Sequence, residues 1–218
     1  AKTYLKALVM TDRMDYLNNL GNNLTYCLAI EKLCNIEVPK RAQVIRVICA
    51  ELQRIASHLV WLGTSAMDLN ASSVLIYCFR DRENLLDIFE MIGGQRMMTS
   101  YIRPGGVWRD VPAEFVPAVN RFLDYLPDKL ADYERMLTHN PLFMRRTIDI
   151  GIIDPSDALE RGMTGSSLRG SGINYDVRRA MPYSGYDEYD FDVPLEDGCD
   201  VYARYRVRMR EFHESIRI

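Results

Sequence analysis

The sequence has 218 residues and a mass of 25.2 kDa, enough for one large domain or two small ones with a sizeable core. Hydrophobic residues make up 48% and charged residues 26%, a globular composition that excludes a disordered or collagen-like chain. Thirty acidic against 27 basic residues leave a net charge of -3. Because no run of lysine or arginine is present, we expect no nucleic-acid partner.

The first two predicted helices have apolar residues at helical spacing. One runs from Arg13 to about Leu33, and Asp12 is placed to cap its first turn. The other runs from Pro39 to about Leu69, and its proline suits the start of a helix. A continuous apolar stripe along this second helix predicts that one of its faces is buried.

A third long helix and a shaped loop follow in the chain. Ser72 and Ser73 offer a cap for the helix, and Gly93 and Gly94 weaken or end it. Residues 101–110, YIRPGGVWRD, cannot continue a helix because a proline and two glycines stand together. We predict a loop with a defined shape at this place.

The next segments predict a fourth helix and then a long irregular region. The helix covers residues 112–138, although Pro117 and Pro127 weaken its first half and its middle. Residues 140–200 are rich in arginine, tyrosine and glycine, and a short strand at Tyr189–Val193 is the most regular piece expected there. Irregular segments of this length in compact proteins are usually functional.

These elements predict a mainly α fold, in which long helices form a bundle beside an irregular, loop-rich segment with minor β structure. Residues 1–139 form the helical core, residues 140–200 the irregular segment, and residues 201–218 the start of a further helix. The chain opens with Ala1 and stops inside a helical pattern, so we expect both ends to be cuts in a longer protein.

The cysteines indicate a reducing compartment. Their number is odd and none forms a CxxC pair, so we expect reduced, buried thiols in a cytosolic setting. The five are Cys27, Cys34, Cys49, Cys78 and Cys199. No apolar run reaches the roughly 18 residues of a membrane span, and no signal peptide is recognisable.

Several catalytic classes lack their sequence motifs. The chain contains no GxGxxG after a strand, no GxxxxGK[ST] and no HExxH. His58, His139 and His213 lie far apart without ligands at metal-binding spacing, so we expect no bound metal. Ser166 and Ser167 lie in GMTGSSLRGSG, which lacks the GxSxG register of a nucleophile elbow.

Two polar residues in apolar surroundings need an explanation. Asp68 sits in the run from Leu62 to Leu69 of an otherwise apolar helix, where a buried carboxylate needs a partner or a proton; the alternative is a solvated carboxylate at a helix end. Tyr16 follows Arg13 and Asp15. Its phenol is either an amphipathic core residue or a proton donor in a cleft.

Six blocks in order resemble the large quinone-site subunit of respiratory complex I, which is called D in bacterial NADH:quinone oxidoreductases and the 49 kDa subunit in mitochondria. The resemblance covers essentially all 218 residues. The blocks are TDRMDYLNNLGNNLTYCLAIEKLCNIEVPKRAQVIRV, SHLVWLGTSAMDLNA, YIRPGGVWRDVP, RTIDIGII, GSSLRGSGINYDVRRAMPY and FDVPLEDGCDVYARYRVRMRE.

The resemblance implies site residues by position. The tyrosine of the D-R-x-D-Y block, which contacts the quinone headgroup in the family, falls on Tyr16. The acidic residue and the cleft threonine of the T-x-A-x-D block fall on Asp68 and Thr64, and Met98 and Arg103 are expected close to the terminal iron-sulfur cluster of a partner subunit. Tyr16 would donate a proton, and Asp68 would modulate a histidine that protonates the other quinone oxygen.

The sequence departs from the family pattern in two places. The family's headgroup histidine lies on an N-terminal hairpin, which would precede Ala1. Met98 stands where many members have a histidine near the cluster, which makes a lower-potential quinone such as menaquinone a candidate beside ubiquinone. The CxxC motifs that hold nickel in the distantly similar hydrogenases are absent, so we predict no nickel.

The implied function is one subunit of an NADH:quinone oxidoreductase that couples electron transfer to proton translocation. Its expected partners are the subunit with the terminal iron-sulfur cluster and the membrane subunit at the quinone entrance, while NAD and the clusters belong to partner subunits. The location would be peripheral, on the cytoplasmic side of a bacterial membrane or the matrix side in mitochondria. The alternatives are a related membrane-bound hydrogenase or ferredoxin-linked subunit and a non-catalytic structural subunit.

Overall fold

The computed structural model describes residues 3–218, and most of them are helical. Two short strands, β1 (Ile102–Arg103) and β2 (Gly106–Val107), and a 3₁₀ turn at Tyr186–Glu188 complete the regular structure. The helices are α1 (Tyr4–Thr11), α2 (Asn19–Cys34), α3 (Lys40–Asp68), α4 (Ser72–Gly93), α5 (Phe115–Leu137), α6 (Pro141–Thr147), α7 (Pro155–Glu160), α8 (Gly165–Arg169), α9 (Val177–Ala180) and α10 (Val201–Arg217). The predicted mainly α fold with minor β structure is confirmed.

The described chain divides into two compact units. The first contains residues 3–62 and 76–125, and the second contains residues 63–75 and 126–218. Helices α3, α4 and α5 each have one part in either unit. The boundaries predicted at residues 139 and 200 stay predictions.

The helices predicted from Pro39 and after Ser72 are confirmed as α3 and α4. Helix α3 begins directly after Pro39, whose carbonyl accepts a hydrogen bond from the Gln43 amide at 3.1 Å. Helix α4 ends at Gly93, and Gly94 has a φ of +75°, which is the left-handed conformation in which a glycine commonly ends a helix. The apolar stripe of α3 is buried as expected.

The prediction that Asp12 caps a helix starting at Arg13 is wrong. Asp12 ends α1, and α2 begins only at Asn19. Residues 12–18 form a turn, because the Asp15 carboxylate accepts the Leu17 amide at 3.0 Å and so closes the chain locally. The helical spacing of apolar residues is real within α2, but the turn upstream interrupts it.

Helix α5 tolerates both of its prolines. Pro117 lies in the first turn, where a backbone amide has no partner within the helix in any case. Pro127 lies inside the helix, which nevertheless continues to Leu137. One face of α5 is buried, and this burial compensates for the backbone hydrogen bond that Pro127 cannot donate.

The segment predicted as a loop, residues 101–110, contains a small hairpin. Strands β1 and β2 pair in antiparallel fashion, with Ile102 opposite Val107 and Arg103 opposite Gly106. Pro104 and Gly105 form the turn, and the φ of Gly105 is +87°. A type II turn requires a positive φ at its third residue and commonly has a proline at its second, and Pro104 and Gly105 fit these positions.

The strand predicted at Tyr189–Val193 does not form. Its backbone pairs with side chains instead of a second strand, since the Asp192 amide donates to the Glu214 carboxylate at 2.8 Å and Arg179 donates to the Phe191 carbonyl. The ring of Phe191 lies under the Arg179 guanidinium, 4.0 Å from its centre. The segment belongs to no sheet, and the rest of 140–200 holds α6 to α9 as short helices.

In the second unit, aromatic side chains anchor α10. Tyr205 lies edge-on to Phe143 with ring centres 4.9 Å apart, and its hydroxyl group is hydrogen-bonded to Thr138 at 2.8 Å. The carboxylate of Asp200 caps the helix by accepting the Ala203 amide at 2.7 Å and also accepts the Asp149 amide at 2.9 Å. The predicted helix near the C-terminal end is therefore confirmed and capped.

The prediction of buried thiols holds for three of the five cysteines. Cys27, Cys49 and Cys78 are buried, but Cys34 is exposed at the end of α2 and Cys199 is partly exposed. Burial raises the pKa of Cys27 and Cys49 to about 12, far above an ordinary thiol. These two groups therefore remain protonated and unreactive near neutral pH.

We predict that a thiol reagent such as DTNB, applied to the native chain at about pH 8, modifies Cys34 first. Cys199 should follow more slowly, while Cys27, Cys49 and Cys78 react only after unfolding. The measurement is the time course of thiol release. A Cys34→Ser variant is the control and should lose the fast phase, and fast labelling of Cys27 in the native chain would contradict the structure.

Candidate functional site

A buried ion pair supports the hairpin in the first unit. The Arg46 guanidinium is fully buried and makes a two-pronged contact with the Glu31 carboxylate, with N–O distances of 3.0 and 2.5 Å. Arg46 also donates to the carbonyls of Gly106 at 3.0 Å and Arg103 at 2.7 Å. The Glu31 carboxylate accepts the Gly105 amide at 2.8 Å. Helices α2 and α3 thus hold the hairpin by both sides of its turn.

The exposed side of the hairpin is aromatic and cationic. The guanidinium of Arg103 lies 5.4 Å from the ring centre of Trp108, and that of Arg109 lies 4.7 Å from the same ring. Arg41 pairs with Asp110 at 3.0 Å, and this hydrogen bond lowers the pKa of the Asp110 carboxyl. Arg103, predicted near a cluster, is therefore solvent-accessible and is oriented by stacking.

The segment before the hairpin has an unusual backbone. Met98 and Ser100 have φ angles of +58° and +45°, in the left-handed region that favours glycine. Thr99 between them is buried, and it packs so tightly on Gly93 that an added Cβ there would lie 2.6 Å from the Thr99 Cβ. Met98, predicted to lie near a partner's cluster, is thus held in a constrained turn.

Tyr16 lies on the turn between α1 and α2. Its side chain is 59% exposed, and its hydroxyl group has no hydrogen-bond partner among residues 3–218. The turn itself is well defined, because the Asn22 amide group donates to the carbonyls of Thr11 at 3.1 Å and Asp15 at 3.0 Å. A rigid backbone therefore presents an unpaired phenol to solvent.

Thr64 and Asp68 lie on the last turns of α3, in the second unit. Thr64 is partly buried. Asp68 is exposed and makes no hydrogen bond or ion pair with any residue in 3–218. A negative charge at the C-terminal end of a helix opposes the helix dipole, so this carboxylate does not stabilise α3.

The predicted site residues fall into two groups. Tyr16, Met98 and Arg103 belong to the first unit, whereas Thr64 and Asp68 belong to the second. Within the first unit the Arg103 Nε donates to the Ser100 carbonyl at 3.3 Å, and the Ser100 hydroxyl donates to Asp12 at the start of the Tyr16 turn. The segments of Met98, Arg103 and Tyr16 are therefore joined by direct contacts.

Sequence reasoning missed the residues that fix these segments. Glu31 and Arg46 are charges on buried faces of their helices, a signal that marks a buried ion pair but gives no partner. The sequence marks Asp12 only as a candidate helix cap. Ser100 carried no signal in the sequence, because its role depends on a backbone angle.

A second buried ion cluster lies in the second unit. Arg169 pairs with the Glu211 carboxylate, and Arg178 pairs with Asp176 at 2.8 Å. Burial alone would raise the pKa of Asp176, but hydrogen bonds and charge from Arg178 outweigh it and lower that pKa. The resulting stabilisation is present above the ordinary aspartate pKa of about 4 and is lost as the pH falls through the lowered value.

The described residues give two findings about metals and membranes. No group of three or more histidine, cysteine, aspartate or glutamate side chains within residues 3–218 is arranged to hold a metal ion. None of the helices in this part of the chain has both the length and the apolar character needed to cross a bilayer.

Comparison with known proteins gives one consistent family. A family model described as the 49 kDa subunit of respiratory-chain NADH dehydrogenase matches residues 68–218. The D 2 subunit of NADH-quinone oxidoreductase from Chloroflexus aurantiacus is 55% identical over 218 residues, which are the whole of this chain and 53% of that protein. The D 1 subunit from Roseiflexus castenholzii is 56% identical over 218 residues, all of this chain and 52% of that protein.

A more distant relative agrees with these two. The D subunit of NADH-quinone oxidoreductase from Thermus thermophilus is 50% identical over 217 residues, covering 100% of this chain and 53% of that protein. The chain therefore spans about half the length of the curated relatives that it matches.

We predict that Glu31→Gln lowers the free energy of unfolding by about 3–5 kcal/mol, because it leaves the buried Arg46 without its counter-charge. Urea unfolding of the subunit measures this change. Glu37→Gln is the matched control, since Glu37 is an exposed glutamate that makes no ion pair among residues 3–218.

The pair can also be removed as a whole. The double variant Glu31→Leu, Arg46→Met leaves no unpaired buried charge, so it should cost less than the sum of the two single changes. Additive costs, or a Glu31→Gln variant as stable as the control, would contradict the assigned role of the pair.

Proposed function

Because the chain belongs to the family of the 49 kDa subunit of respiratory-chain NADH dehydrogenase, we propose that it forms one wall of the site where an NADH:quinone oxidoreductase reduces quinone. The names of its relatives include this reaction. In the proposed role the chain couples electron transfer to proton translocation as one subunit of that complex. These relatives carry no hydrogenase name, which favours this proposal over a hydrogenase subunit.

The exposed phenol of Tyr16 is the observation that carries the proposal. Exposed thioethers precede it in the sequence, since Met10 is 57% and Met14 77% exposed. A quinone headgroup is an apolar ring with carbonyl oxygens at opposite ends. Methionine side chains suit the ring because they are flexible and polarizable, and an unpaired hydroxyl group suits one of the oxygens.

In the proposed reaction the quinone takes up two electrons and two protons and becomes a quinol. The electrons arrive one at a time from an iron-sulfur cluster in a partner subunit. Tyr16 donates one proton from its hydroxyl group to one quinone oxygen and is reprotonated from water. A histidine supplies the second proton, and Asp68 stabilises the charged form of that histidine.

The remaining predicted site residues have supporting roles in this proposal. Thr64 lines the cleft on the side of Asp68. Met98 and Arg103 face the cluster of the partner subunit, where the methionine offers no titrating group and the guanidinium supplies a fixed positive charge. A lower-potential quinone such as menaquinone fits a cluster environment without an imidazole, and ubiquinone is the alternative substrate.

The proposed partners follow from the reaction. The chain would contact the subunit with the terminal iron-sulfur cluster and the membrane subunit through which quinone enters, and NADH would be oxidised elsewhere in the complex. This places the chain in the peripheral arm, on the cytoplasmic face of the membrane in a bacterium. The matrix face is the equivalent location in mitochondria.

We predict that Tyr16→Phe, in the assembled complex, lowers NADH:quinone activity by at least about tenfold, because a positioned proton donor contributes roughly 10²- to 10⁴-fold to a rate. Phenylalanine keeps the ring and removes only the proton. NADH oxidation by ferricyanide, which takes electrons before they reach quinone, should stay normal.

Tyr4→Phe is the matched control for this experiment. Tyr4 is 55% exposed on α1, close to the exposure of Tyr16, and its hydroxyl group has no partner among residues 3–218. This control should keep full activity. Normal quinone activity in an assembled Tyr16→Phe complex would exclude Tyr16 as the proton donor.

We predict that Asp68→Asn lowers the maximal rate of quinone reduction and moves its pH optimum to lower pH. A nearby carboxylate raises the pKa of a histidine, so its neutralisation lowers that pKa and the protonated form is lost at a lower pH. The measurement is the pH profile of quinone reduction. Asp128→Asn is the control, because Asp128 is also exposed in the second unit and unpaired among residues 3–218. An Asp68→Asn profile that superimposes on wild type would leave Asp68 without a role in proton transfer.

A further inference from the structure

One hydrogen bond joins the two functional segments of the first unit. The Ser100 hydroxyl donates to one carboxylate oxygen of Asp12, and the Asn23 side-chain amide donates to the other at 2.6 Å. Asp12 is fully buried, so both of its oxygens are taken up inside the protein. Asp12 is also the first residue of the turn that carries Tyr16.

The backbone of Ser100 requires such a restraint. Its φ of +45° is disfavoured for any residue with a side chain, and the φ of +58° at Met98, two residues earlier, is disfavoured for the same reason. Conformations of this kind persist only where the surroundings hold them in place. The bond to Asp12 is the contact of the Ser100 side chain that does so.

The other side of Ser100 is tied to the hairpin. Its carbonyl accepts the Arg103 Nε at 3.3 Å, and the Arg103 carbonyl accepts Arg46 at 2.7 Å. The hairpin is therefore a fixed support for Ser100, because the buried pair of Arg46 and Glu31 holds it. The hydrogen bond from the Ser100 hydroxyl connects Asp12 to the hairpin.

The turn on the far side of Asp12 is equally well connected. Arg13 donates to the Val9 carbonyl at 2.5 Å, and Asn22 holds the carbonyls of Thr11 and Asp15. The side chain of Thr11 donates to Asn23 at 2.6 Å. A displacement of Asp12 would therefore move the whole turn, with Tyr16 on it.

We propose that Ser100 and Asp12 are positioning residues, which set the place of the Tyr16 hydroxyl group relative to the hairpin by their hydrogen bond. This inference rests on the proposed function of Tyr16 as the proton donor. The proposal adds no group to the chemistry. It states that the position of the Tyr16 hydroxyl group depends on a serine that is distant in the chain, since 88 positions separate Ser100 from Asp12.

The test uses the assembled complex and the variant Ser100→Ala. The alanine lacks the hydroxyl group, so the turn loses its link to the hairpin and Tyr16 is displaced. A donor misplaced by about 1 Å can cost up to 10²-fold in rate, and we expect about a tenfold lower kcat for quinone reduction with KM changed less than twofold. Ferricyanide reduction should stay normal.

Two further variants separate positioning from general damage. Ser100→Asn should restore most of kcat, because asparagine tolerates a positive φ and its side chain can donate to Asp12. Ser184→Ala is the matched control. Ser184 also has a positive φ, +50°, and its buried hydroxyl oxygen has no partner among residues 3–218, so its loss should leave kcat unchanged.

The decisive measurement is Ser100→Ala in a Tyr16→Phe background. If Ser100 acts through Tyr16, it lowers kcat no further once the donor proton is absent. A further tenfold loss in this background, or a wild-type kcat for Ser100→Ala alone, would overturn the inference. If Ser100→Ala fails to assemble, Ser100→Gly decides the question, because glycine lacks the hydroxyl group but adopts the positive φ without strain.

The outcomes also distinguish the inference from the function on which it rests. A normal Tyr16→Phe complex overturns the proposed proton donor and this inference with it. An impaired Tyr16→Phe complex beside a normal Ser100→Ala complex overturns only the positioning role.

Discussion

The buried contact between Arg46 and Glu31 is the constraint on which the first unit depends. A guanidinium group without solvent costs several kcal/mol unless its charge and its donors are all paired, roughly as much as the net stability of a small domain. Here a carboxylate from α2 and two carbonyls of the hairpin provide the pairing. Neither helix can shift against the hairpin without breaking these bonds, so the ion pair fixes three elements at once.

From this ion pair a series of hydrogen bonds leads to the protein surface. The hairpin holds Arg103, Arg103 holds the Ser100 carbonyl, and the Ser100 hydroxyl holds Asp12. The series ends at the turn of Tyr16, whose side chain is exposed although its backbone is fixed. Such an arrangement suits a ligand-binding donor, because the cost of ordering the backbone is met by folding and not by binding.

Whether the sequence predicts a structural feature depends on how far apart in the chain its interacting residues lie. Helices α3 and α4 can be predicted from the sequence because their signals are local: an apolar stripe in α3 and a terminal glycine in α4. The strand predicted at Tyr189–Val193 does not form, because a strand needs a second strand as its partner. Here the side chains of Arg179 and Glu214 hydrogen-bond to the backbone of this segment instead. The family motifs predict Tyr16 and Asp68 as site residues, and that stays a prediction. The sequence could not pair Arg46 with Glu31 or Ser100 with Asp12, since long-range contacts leave no local pattern.

Some charged side chains of this chain stabilise the fold, and others do not. Glu31 and Arg46 are buried and paired, so folding accounts for their presence. Asp68 is exposed, unpaired within residues 3–218 and placed at the helix end where a negative charge costs about 0.3–1 kcal/mol. A residue that the fold does not need, in a position that slightly opposes the fold, is best explained by a group outside this chain. In the proposed function that group is a protonated histidine beside the quinone, which would supply the positive charge that α3 lacks at this end.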